Sequence, residues 1–270
     1  MPEGDGASRS ARRAHGHDVG NPGQSIMIEA LLWGAGASAM LLAGATLAFL
    51  FRPSPRVNGI IMAAGAGLLL GSVAYDLIED ALRSSTLPLV TVAFFVGSAL
   101  FLAGDLLLDR MGAAERKDPG GGQAGGASLA IVMGSVLDGI PESFVLGLTV
   151  LQGGISLSLF VGIALSNLPE GMASSSGLRV AGWSLARVTR MWLLVVAVSG
   201  AAAAAGFVFF NPATGVLGPR HAAFAQAFAA GALLTMLADT MLPEAYEEER
   251  AFTGALVVLG FAASLALAAL

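Results

Sequence analysis

The chain has 270 residues, a mean hydropathy of +0.75 and 55% hydrophobic side chains, while only 12% of its residues are charged. A soluble domain carries about 25% charged residues, so the composition excludes a soluble surface and reads as an integral membrane protein. The formal charge of −5 sits mostly in loops, and the absence of Cys excludes disulfides, thiolate metal sites and cysteine nucleophiles.

Residues 1–25 are rich in Gly, Arg, Ser and Asp and lack the apolar core of a signal peptide. They are expected to form a disordered extracytoplasmic tail in which His15 and His17 are solvated. Residues 26–270 form the membrane domain. A bilayer core of about 30 Å takes about 20 apolar residues per helix, and eight stretches qualify: 26–51, 58–82, 87–109, 128–150, 155–178, 188–210, 222–242 and 251–270. Their connections are short except at 110–127, where Pro119 to Gly122 and Gly125-Gly126 predict a flexible loop.

Lys and Arg concentrate after spans 1, 3, 5 and 7, at Arg52, Arg56, Arg110, Arg116, Lys117, Arg179, Arg187 and Arg250, with Arg190 close by. The bias places these loops, including 110–127, in the cytoplasm and both termini outside. Lys117 is the only lysine among 14 basic residues, a usage that suggests a GC-rich bacterial genome and hence the inner membrane of a bacterial cell. The run from Gly67 to Ala81 in span 2 resembles the run from Gly231 to Ala245 in span 7, without a gap. These spans run in opposite directions, as an inverted repeat of spans 1–3 and 6–8 around spans 4 and 5 requires.

Spans 4 and 5 carry the chemistry. Each holds a hexapeptide with a carboxylate beside a proline: Asp138-Gly139-Ile140-Pro141-Glu142-Ser143 and Ser166-Asn167-Leu168-Pro169-Glu170-Gly171. Ionisable groups at membrane depth are costly and mark substrate or ion pathways. Proline also removes the donor for the carbonyl four residues earlier, Leu137 or Leu165. Asp138 and Glu142 share one face of span 4, and Ser166, Asn167 and Glu170 one face of span 5. Together they offer carboxylates, an amide, a hydroxyl and carbonyls, a set that suits a divalent cation accepting hard oxygen ligands. For Ser166 and Asn167 a second reading stays open, as interhelical hydrogen-bond partners. Asp76, Glu79 and Asp239 are candidates for lining the path. Asp80, Glu244 and Glu247-Glu248-Glu249 are expected at solvated membrane edges, and His221 at an interface.

At these residues the chain resembles the ZIP family of divalent metal transporters. The resemblance extends to eight spans, outside termini, the long third loop, and the endings Tyr75 to Ala81 and Met241 to Ala245. It implies that Glu142 and Glu170 stand at metal-binding glutamates. Asp138 and Ser166 stand where the family has histidines, Gly139 where it has Asn, and Asn167 where it has Asp or Asn. Span 6 lacks the carboxylate expected of members with a two-metal site, and the third loop has no His. An oxygen-only site shifts preference away from zinc toward Mn²⁺, Fe²⁺ or Mg²⁺.

The sequence reading is therefore an all-α, eight-span transporter. Its substrate is a divalent metal ion (Zn, Mn or Fe), bound by Asp138, Glu142, Ser166, Asn167 and Glu170 and moved by alternating access. The alternative is a ZIP-like permease that has lost metal transport and moves another solute or protons. No His-Glu-x-x-His helix and no serine elbow with a partner His is present, so no enzyme is expected. The expected partners are metal ions and the lipid bilayer, with no nucleic acid; a homodimer stays open.

Overall fold

The structure, a computed structural model, describes residues 22–108, 110, 127–211 and 217–269. Residues 1–21 with His15 and His17, and nearly all of the 110–127 loop, lie outside the described residues. Residues 22–25 belong to the first helix rather than to the expected tail.

Eleven helices occur among the described residues, with no strand. They are α1 (Pro22–Ser38), α2 (Met40–Leu50), α3 (Pro55–Ser72), α4 (Glu79–Ser84), α5 (Leu87–Leu108), α6 (Ala127–Leu151), α7 (Leu157–Val180), α8 (Leu185–Phe210), α9 (Pro219–Met236), α10 (Leu242–Glu249) and α11 (Thr253–Ala268). α1 passes into α2 at Ala39, and π-helical turns at Val73–Ile78 and Leu237–Met241 join α3 to α4 and α9 to α10. Local chemistry sets several starts: Ser54, Ser156 and Ser184 accept N-cap bonds from Val57 N, Leu159 N and Arg187 N. Gly153 (φ 118°) and Gly182 (φ 83°) turn the chain at either end of α7, in backbone conformations that favour glycine.

Six helical runs are long and apolar enough to cross a membrane: 23–50, 55–84, 87–108, 131–151, 185–210 and 220–249. Of the eight stretches expected, the other two correspond to α11, with 16 residues, and α7, whose 24 residues are diluted by Ser, Asn, Gly and Glu. The bundle is apolar outside and buries polar and charged side chains within its apolar core. Leu32, Phe95 and Val258 are 62%, 65% and 67% exposed, whereas Glu142 is 2% exposed. Water would penalise such an exterior; hydrocarbon would not.

Packing divides the bundle. α1, α2, α6 and α8 pack on one another, α3, α5, α9, α10 and α11 form a second group, and α7 lies between them against α2 and α3. Glycines let the backbones touch. A Cβ on Gly67 would overlap the Val257 carbonyl, on Gly260 the Ala64 carbonyl, on Gly231 the Phe94 carbonyl, and on Gly97 the Phe228 carbonyl. The two pairs correspond: Gly67 and Gly231, like Ala64 and Phe228, are 164 residues apart, while Phe94 and Val257, like Gly97 and Gly260, are 163 apart. The π-helical turns start 164 residues apart as well, at Val73 and Leu237.

These contacts leave no room for a methyl group. Gly97→Ala is expected to lower unfolding free energy by about 1–3 kcal/mol, the usual cost of overpacking. Gly254→Ala, where an added Cβ meets nothing within 4 Å, should shift it by less than about 0.5 kcal/mol. Thermal unfolding of the detergent-purified variants checks both.

Candidate functional site

α6 and α7 bring both hexapeptides into the interior. Asp138 (3% exposed), Glu142, Ser166, Asn167 and Glu170 (8% exposed) are all buried. Both helices run through Pro141 and Pro169 without ending. Neighbours close on the proline-weakened backbone: a Cβ on Gly65 would stand 3.1 Å from Leu165 C and Ser166 N, so glycine there lets α3 approach the Leu165 carbonyl. On the other flank Gly44 and Gly171 allow α2 onto Leu168–Gly171 and α7 onto Leu41.

Hydrogen bonds then fix individual side chains. Ser135 Oγ donates to Glu170 Oε1 at 2.5 Å, tying α6 to α7. Ser135, Asp138 and Glu142 follow the i, i+3, i+7 spacing of one helix face, so this bond brings that face of α6 to Glu170. Asn167 Nδ2 donates to the Ala37 carbonyl at 3.2 Å, where α1 gives way to α2. Ser166 Oγ donates to the Ile163 carbonyl of its own helix at 2.9 Å. Asn167 thus makes an interhelical bond, whereas the Ser166 bond stays within α7, and each keeps an oxygen lone pair beyond these bonds.

Sequence reading missed three serines. Ser135 lies three residues before Asp138 on the same face, and that spacing was its available signal. Ser143 is fully buried and its hydroxyl has no partner. Ser199 of α8, 2% exposed, faces Gly139; a Cβ there would stand 3.1 Å from its Oγ. α8 thus presents a hydroxyl to the span 4 motif, on a helix with no carboxylate.

Among the described residues, no three His, Asp or Glu side chains converge into a metal-holding group. A cation at this site would take hydroxyl, amide or carbonyl oxygens beside the carboxylates. The two motifs are also not equivalent in the packing. Gly44 meets the Leu168 carbonyl as Gly206 meets the Phe144 carbonyl, and Gly171 meets Leu41 as Gly147 meets Ala203. That register relates α6 to α7 by 24 residues, whereas Glu142 and Glu170 are 28 apart, one helical turn more. By packing, Glu142 corresponds to Ser166 and Ser143 to Asn167.

The two groups of helices are joined by polar bonds at one end and parted at the other. Asp76, in the first π-helical turn, accepts from Ser156 Oγ at 2.6 Å and from Ser158 Oγ, and Gln226 Nε2 donates to Gln152 Oε1 at 2.9 Å. At the opposite end a cavity of about 510 Å3 lies between α2 and α7 on one side and α3 and α10 on the other. The acidic run there is not uniformly solvated, contrary to expectation. Glu249 is buried and paired with Arg56 Nε at 2.8 Å, and Glu248 lines the cavity. His221 is exposed, and its Nδ1 accepts from Gly218 N at the start of α9.

No family model and no curated protein matches this chain.

Because Ser135 is the hydroxyl that reaches Glu170, Ser135→Ala is expected to cost about 1–3 kcal/mol of stability by leaving a buried acceptor unsatisfied. Ser166→Ala, which removes a bond within one helix, should cost less than about 1 kcal/mol. Parallel denaturation of the two variants tests the difference.

Proposed function

We propose that the protein is a transporter of a divalent metal cation, of the Zn, Mn or Fe class, working by alternating access around α6 and α7 in a ZIP-like bundle. The observation that carries this reading is the burial of Asp138, Glu142 and Glu170 inside a bundle whose exterior is apolar. Buried charge is costly, and in membranes it marks ion pathways. Asp138, Glu142, Ser166, Asn167 and Glu170 are the proposed ligands, and Ser135 orients Glu170.

Further support comes from the packing. Matching glycine contacts and π-helical turns at an offset of 164 residues fit an inverted repeat of the first and last three spans. This reading takes α7 and α11 as spans along with the six runs given above, in a bacterial inner membrane with both termini outside. The hydrogen-bonded Asp76 end then faces outward and the cavity inward, as one closed and one open side of a pathway require.

A second reading is a ZIP-like permease that has lost metal transport and moves another solute or protons. The absence of a three-carboxylate group among the described residues favours it. Metal-dependent thermal stabilisation separates the two readings, because a ligand that binds only the folded state raises its stability.

Glu142→Ala and Glu170→Ala are each expected to reduce Mn²⁺ or Zn²⁺ uptake into proteoliposomes to the protein-free background. Uptake at the wild-type rate in both variants rules the transporter reading out.

A further inference from the structure

The cavity at the parted end carries chemistry that the α6–α7 site does not use. Asn58 of α3 lines it at 4% exposure, and its amide faces the Glu248 carboxylate of α10. Yet neither amide atom, nor Oε2 of Glu248, has a hydrogen-bond partner of normal geometry. The two groups are set against each other, and what this wall offers the cavity is the half-buried Glu248 carboxylate. On the facing wall are Arg52 and Arg179. Arg179 is held rigidly: its Nη1 donates to the Ala48 and Phe49 carbonyls at 3.0 Å each, and its guanidinium lies 5.5 Å from the centre of the Phe49 ring. Arg56 is engaged with Glu249 and does not neutralise Glu248.

The two signs decide the ligand class. A bare cation drawn to Glu248 meets two guanidinium groups, and a simple anion drawn to the arginines meets a carboxylate. A ligand with an ammonium at one end and anionic oxygens at the other satisfies both walls. Met172, Ala173 and Val180 add an apolar flank.

We propose that this cavity binds a zwitterion bearing a primary ammonium and a phosphate or carboxylate, with the ammonium at Glu248 and the anion at Arg52 and Arg179. An ethanolamine phospholipid headgroup and a free phosphoethanolamine-like solute share this chemistry. A primary ammonium matters because the Glu248 carboxylate accepts hydrogen bonds, which a choline headgroup cannot donate. The site is separate from Glu142 and Glu170, so it stands whether or not the metal reading holds.

Native mass spectrometry of the full-length protein, with dioleoyl phosphatidylethanolamine, phosphatidylcholine and phosphatidylglycerol in equal amounts, tests the proposal. Calorimetry with O-phosphoethanolamine identifies the source. Retention of the ethanolamine lipid at least tenfold above the other two is expected, falling at least tenfold in Glu248→Gln. The exposed Arg52→Gln should lower it too, and serves as an independent variant should Glu248→Gln fold poorly. Binding of O-phosphoethanolamine by the wild type marks a free solute as ligand; lipid retention without it marks the headgroup. Equal retention of all three lipids with no O-phosphoethanolamine binding overturns the proposal, as does retention unchanged in both variants.

Discussion

Carboxylates buried inside an apolar bundle are the constraint from which the rest of this structure follows. An ionised carboxylate taken out of water and left alone is prohibitively costly, so every element around Asp138, Glu142 and Glu170 must supply polar groups or bring backbone close. Ser135 does the first for Glu170. Glycines do the second: Gly44, Gly65 and Gly171 bring α2 and α3 onto the backbone of α7 at its motif. Most of α7 is accordingly buried, and it is absent from the six runs long and apolar enough to cross a membrane. A helix surrounded by protein does not need a hydrocarbon-facing surface.

The glycine contacts also form a repeating frame, and the site departs from it. Pairs on α3 and α11 repeat on α9 and α5, and pairs on α2 and α7 repeat on α8 and α6. Within that frame the two proline-glutamate motifs are one helical turn out of register, so the halves contribute unlike groups at matched positions. Asn167, bonded to Ala37 beside the break in the first helical run, corresponds to Ser143, whose hydroxyl is unpartnered. Such asymmetry suits the single-ion site proposed here.

The all-helical, apolar bundle was legible because apolar length is a property of composition. The hexapeptides stood out because Asp, Glu and Pro are expensive in that setting wherever their neighbours lie. The π-helical turns at Val73–Ile78 and Leu237–Met241 left no comparable mark, since a wider turn is a backbone solution to packing and any apolar sequence can adopt it. Ser135 was overlooked because serine is common in such helices, and only the approach of α6 to α7 shows which carboxylate it serves. Glu248 and Glu249 read alike in sequence; Arg56, 193 residues from Glu249, separates a buried, ion-paired carboxylate from a cavity wall.

The central claim is that the interior carboxylates hold a divalent metal ion, and direct binding tests it with least intervening biology. Isothermal titration of Mn²⁺ and Zn²⁺ into purified, chelator-treated protein should give one saturable site per chain, weakened at least tenfold in Glu142→Gln with the fold retained. Titrations that show no saturable site in the wild type, or identical affinity in the variant, would contradict it.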